Sequence, residues 1–173
     1  LDISIKKVMV INSALVIINC INKYFDHNGE KYIGNNCQEV VRNIHDKLVI
    51  ARKAGNPVIY LNNLPYTPDT KKQKFNFKIK EEVKPVDGEY VIHKETLSAF
   101  YNTSFESIIS QKNISEIVLV GAYTNTDVFF AALEAKIRGL AVMVFEKCVI
   151  SDDRIANAVF LNEMNKNHGI DVF

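Results

Sequence analysis

Thr124-Asn125-Thr126-Asp127 is a short polar turn with one carboxylate, set between the apolar run 117–120 and a segment that closes at Gly139. A buried strand that feeds a helix through such a turn is where α/β proteins place their ligands. Two other polar points end apolar runs in the same way: Asn19 closes 14–19 (ALVIIN), and His93-Lys94 follow 90–92. A carboxylate, an ammonium and an amide then make a constellation, provided the chain folds so that these ends are neighbours.

The elements that must position them follow from periodicity. Continuous β-branched and aliphatic runs at 14–19, 58–61, 117–120 and 141–145 read as strands covered on both faces, and 90–92 as a shorter one. Between residues 35 and 54 apolar residues recur at Val40, Val41, Ile44, Leu48 and Ala51, a helical period stopped by Gly55-Asn56-Pro57. Helices are also expected over 104–112 with Ser104 as N-cap, over 127–138, and over 152–166 with Ile155, Ala156, Val159, Phe160 and Met164 on the inner face. Residues 65–88, with three of the four prolines at or near the ends, read as a long surface connection. Strands alternating with helices, joined by right-handed crossovers, predict an α/β fold: a three-layer α/β/α sandwich with a mostly parallel, Rossmann-like sheet, as one domain over 1–173.

Composition excludes several classes. Lys plus Arg (21) nearly balances Asp plus Glu (20), and the one basic run, 71–80, is short, so no nucleic-acid partner is expected. The early apolar segment 8–20 carries Asn12 and Asn19 and is too short to cross a bilayer, so no membrane partner is expected either. Three scattered cysteines form neither a disulfide framework nor a zinc pattern, which points to a reducing, cytoplasmic setting. Gly121-Ala122-Tyr123-Thr124 supplies neither a P-loop nor a GxGxxG run, which weakens a nucleotide-binding reading.

ALVIINCINKYF (14–25), PVDGEYVIHKETLSAF (85–100) and GAYTNTDVFFAALEAKIRG (121–139), in that order, resemble the three signature segments of the isochorismatase-like cysteine hydrolases. That superfamily includes nicotinamidases, N-carbamoylsarcosine amidases and isochorismatases. The resemblance implies a general-base Asp at position 19, a charge-balancing Lys at 94 and a nucleophilic Cys at 127. This chain has Asn19, Lys94 and Asp127 there. It also implies an oxyanion hole from the backbone amides of Tyr123 and Asp127, with a cis peptide at Ala122-Tyr123, so Ala122, Tyr123 and Thr124 are the expected pocket residues.

The two replacements remove the familiar chemistry. A carboxylate lacks the nucleophilicity of a polarisable thiolate, and an Asn side chain does not take up and pass on a proton at neutral pH. A helix N-terminus and a nearby lysine both favour the anion, so Asp127 is expected as a carboxylate paired with Lys94 rather than as a proton donor. Metal-binding members use Asp-x-His after the second strand, where this chain has Asn62, Asn63 and Leu64, so neither a catalytic metal nor any cofactor is expected. His93 should face away from Lys94, and Cys20 away from Asn19. Cys37 falls in the first turn of a helix, and Cys148, just past the strand 141–145, is a candidate for a displaced nucleophile.

Phe100, Phe105, Phe129, Phe130 and Phe145 read as core or helix-packing residues, any exposed ones serving an oligomer interface. The expected function is that of a pseudoenzyme, or a binder of a small-molecule ligand, that forms a homo-oligomer. The alternative is a hydrolase that uses Asp127 and Lys94 without a thiol.

Overall fold

A computed structural model describes residues 12–34, 36–63 and 69–173. The start of the early apolar run, the first position of the helical pattern at 35, and residues 64–68 at the head of the long connection lie outside the described residues.

Six parallel strands form one sheet: β1 (Ser13–Ile18), β2 (Val58–Asn63), β3 (Tyr90–Lys94), β4 (Glu116–Ala122), β5 (Ala141–Ile150) and β6 (Asp171–Val172), in the spatial order β3-β2-β1-β4-β5-β6. The helices are α1 (Asn22–Phe25), α2 (Cys37–Lys53), α3 (Lys71–Asn76), α4 (Phe105–Gln111), α5 (Phe129–Ile137) and α6 (Arg154–Asn167).

Alternation along β1 sorts the layers. Val16 and Ile18 join the core under α4, α5 and α6, whereas Leu15 and Ile17 join the core under α1 and α2. Both faces are covered, which is why the strands read as unbroken apolar runs. Strand order reverses between β1 and β4, so the switch-point crevice opens beyond Ile18 and Ala122. Gly121 makes this close approach feasible: its φ is +118°, and a Cβ there would lie 1.9 Å from the Ile18 carbonyl oxygen.

Several expectations need correction. The connection 65–88 is not a plain surface loop: α3 is closed by a capping box between Thr70 and Gln73, and a 3₁₀ turn spans Glu81–Val83. The stretch after α3 docks beside β1 through an Ile21–Ile79 bridge, and the Lys80 amide donates to the Cys20 carbonyl. Local polarity concealed this, because the docking is made by backbone groups and by the buried side chains of Asn76 and Val83.

Ser104 does not cap α4 with its side chain, and the Thr103 hydroxyl accepts from the Phe105 amide instead. On α6 the inner face is set by Leu161 and Met164, while Ile155 (77% exposed) and Val159 (54%) face outward. The helix turns so that Phe160 packs edge-on against Phe129, which carries the i, i+4 pair Ile155–Val159 off the sheet. Phe130 is likewise exposed, whereas Phe100 and Phe105 are buried. Among the described residues no helix is long and apolar enough to cross a membrane.

Candidate functional site

Lys94 ends β3, and its neighbour on β2 is Asn63, one parallel strand nearer the switch point. β1 lies next, and just past its end Asn19 takes a left-handed conformation (φ +49°) that Asn tolerates better than most residues. Its amide donates to the Leu61 carbonyl, and its side-chain oxygen accepts from the Asn63 amide at 2.7 Å. That bond settles the orientation of the side chain: Oδ1 is the acceptor, so Nδ2 is a donor.

Beyond β4 the chain passes through a cis peptide at Ala122-Tyr123 and a π-helical turn over Thr124–Val128 before α5 begins. The Thr124 hydroxyl donates to Asn157 of α6 at 2.6 Å, and the Ser151 hydroxyl donates to Asn125 at 2.7 Å. This turn presents Asp127 to Lys94. The ammonium nitrogen lies 2.5 Å from Oδ1 and also donates to the Thr96 carbonyl at 2.9 Å. Asn63 Nδ2 donates to the same carboxylate oxygen at 2.9 Å, and the Thr126 hydroxyl donates to the other at 3.1 Å.

The pair is closed off from solvent, with side chains 1% and 5% exposed. Asn19, Ala122 and Thr124 are also buried, while the Tyr123 ring, half-buried, packs 4.9 Å from that of Tyr24. Burial pushes the Tyr123 phenol upward, with smaller pushes from Tyr24 and the Asp152 carboxylate. Burial and the Asp127 charge raise Tyr24 in the same direction. Both shifts favour the protonated phenol.

Among the described residues three buried atoms at these strand ends have no hydrogen-bond partner: Asn19 Nδ2, Asn62 Oδ1 and Asn63 Oδ1. Asn63, which the sequence marks only as a replaced metal-ligand position, is a further residue of the site. Its amide bonds Asn19 and its side chain bonds Asp127, so it ties the first strand end to the turn. The available signal was strand length: β2 runs two residues beyond the apolar stretch, which brings Asn62 and Asn63 level with His93 and Lys94. Leu64 lies outside the described residues.

His93 is exposed and faces away from Lys94, as alternation requires. The three cysteines, Cys20, Cys37 and Cys148, are all buried and unpaired. Cys148 lies within β5 rather than past its end, because that strand continues to Ile150 through a register shift against β4. Burial raises its thiol to about 11, with a smaller opposing pull from Lys47. Cys20 and Cys37 are buried and are raised chiefly by desolvation. Among the described residues no three His, Cys, Asp or Glu side chains converge as metal ligands.

Comparison with known proteins agrees with this architecture. The isochorismatase domain model matches residues 13–172. An uncharacterized isochorismatase family protein of Bacillus subtilis, YaaI, is 26% identical over 161 residues, 88% of each chain. The ureidoacrylate amidohydrolase RutB of Pseudomonas savastanoi is 25% identical over 147 residues, covering 65% of this chain and 60% of that protein. Among solved structures, N-carbamoylsarcosine amidase from Thermoplasma acidophilum superposes with a TM-score of 0.81 at 24% identity, covering 94% of this chain and 95% of that one. The nicotinamidase SaPncA from Staphylococcus aureus gives 0.84 at 17% identity, covering 94% and 99%. With the family model spanning nearly all of the sheet and its helices, this chain belongs to the isochorismatase family.

Proposed function

We propose that this chain is a family member without thiol-dependent hydrolysis, and that it binds a small amide or ureido compound. The observation that carries the reading is the Lys94–Asp127 ion pair at the point where the family resemblance calls for a thiol. Both oxygens of Asp127 already accept hydrogen bonds, and the nearer one takes two. A carboxylate held in this way is a poor nucleophile, and Asn19 offers it no base.

The ligand class rests on two supports. RutB and N-carbamoylsarcosine amidase are named for ureido and carbamoyl compounds. The unpartnered donor of Asn19 and the unpartnered acceptor of Asn63 are both buried, so a carboxamide, which has one acceptor and one donor edge, meets them only as the strand ends open. Exposed Ile137, Ile155, Val159 and Phe130 support self-association of the chain.

Nicotinamide and N-carbamoylsarcosine, offered to the purified chain in ligand-observed NMR and in an ammonia-release assay, test the reading. Binding without ammonia release is expected. Steady ammonia release that disappears in Asp127→Ala overturns it in favour of a thiol-free hydrolase using Asp127 and Lys94.

A further inference from the structure

A cavity lies away from the Lys94–Asp127 pair, between α2 and the loop that follows α1. Its volume of about 510 Å³ falls in the range of small-molecule sites, and none of Asn19, Lys94 and Asp127 lines it. The floor is apolar and largely aromatic: Phe25 and Val41 are buried, and Tyr32 is half-buried.

The charged groups around this floor divide into satisfied and unsatisfied ones. Lys80 pairs with Asp26 at 3.0 Å and lies 3.9 Å from Glu82, so its charge is already matched. Arg42 and His45, one turn apart on α2, also line the cavity, and His45 lies 3.8 Å from Asp46. None of the described ion pairs includes Arg42. The cavity thus joins an aromatic floor to one exposed guanidinium outside the described ion pairs, with an imidazole beside it.

We infer that this cavity binds a flat aromatic monocarboxylate, its ring on Phe25, Tyr32 and Val41 and its carboxylate on the Arg42 guanidinium. The planar fork of Arg matches two carboxylate oxygens, and His45 adds a donor or a water-bridged contact. A single negative charge fits better than two. Asp26 and Glu82 also line the cavity, so a phosphomonoester dianion meets more repulsion than a monocarboxylate does.

Benzoate, with benzyl alcohol as its neutral analogue, is the probe, titrated into the full chain by calorimetry and by saturation-transfer NMR. Saturable benzoate binding is expected, with benzyl alcohol about tenfold weaker or worse. Arg42→Gln should weaken benzoate by a similar factor. Gln38→Trp, a change at an exposed position on the cavity wall, should block binding while circular dichroism stays unchanged. Saturating nicotinamide should leave benzoate affinity as it is, which separates this site from the strand-end site. Absence of saturable binding, equal affinity for the alcohol, or benzoate binding undiminished in both Arg42→Gln and Gln38→Trp overturns the proposal.

Discussion

The Lys94 ammonium and the Asp127 carboxylate meet 2.5 Å apart, although 33 residues separate them in the chain. They meet because β3 and the turn after β4 both end on the crevice side of the sheet, with Asn63 of β2 bridging the gap. Once out of water, each charge depends on the other.

Removing one partner should therefore cost more than removing both. Asp127→Asn leaves the Lys94 charge buried without its counterion, and a loss of about 3–5 kcal/mol is expected in urea denaturation. Lys94→Met combined with Asp127→Leu should recover most of that loss. A double variant no more stable than the single one contradicts this account of the pair.

Restoring the family's chemical groups tests the frame around them. The double substitution Asn19→Asp with Asp127→Cys returns a base and a thiol to strand ends whose turn is tethered through Asn157 and Ser151. Measurable ammonia release from a small amide is expected. A double variant that folds with wild-type stability, keeps the turn and releases none indicates that the pocket as well as the triad has changed.

Asn19→Asp alone, with Asp127 retained, puts a second carboxyl into a buried cluster that has a single lysine. Burial and the neighbouring carboxylate disfavour its ionisation, so the folded state holds that proton to higher pH than the unfolded chain does. Stability should fall as pH rises above about 4, opposite to the trend for a stabilising acid pair. Denaturation midpoints across pH 4–8 measure it, and a flat profile contradicts the prediction.

Glu89 shows the ordinary sign. Burial pushes its carboxyl up, but hydrogen bonds from Arg52 and the Val86 amide outweigh that and bring it below its ordinary 4.5. The folded protein thus binds fewer protons here than the unfolded chain. The stabilisation is complete above 4.5 and is lost as pH falls through the lower folded value. Glu89→Gln should destabilise the protein by about 1.5–3 kcal/mol at neutral pH and flatten its acid-unfolding curve.

Gly121→Ala should be among the most damaging single changes. The new Cβ would sit 1.9 Å from the Ile18 carbonyl oxygen at a φ of +118°, so β1 and β4 must separate at the switch point. A loss of about 4 kcal/mol or more is expected in thermal or chemical denaturation, the range reserved for core disruption and backbone strain. Gly139, with open space around its Cβ position, should tolerate Ala far better despite its positive φ.

The sequence alone marked β1 to β5, the helices α2, α4, α5 and α6, the turn before α5, and Asn19, Lys94 and Asp127 as polar residues at strand ends or the turn beyond. Each is a local property: a run of apolar residues marks a strand, and the polar residue that ends it marks a crevice position. The tertiary structure decided what those residues do to one another. Asn63 joins Asn19 to Asp127 because β2 continues two residues past its apolar run, and the register of one strand against its neighbours is set by packing across the whole sheet. The outward turn of Ile155 and Val159 on α6, and the docking of Ile79 and Lys80 beside β1, have the same cause. Periodicity says that a helix has an apolar stripe and that a connection is polar. Only the competition among all the elements for the two faces of the sheet settles which apolar residues are left outside and which polar segments are drawn in.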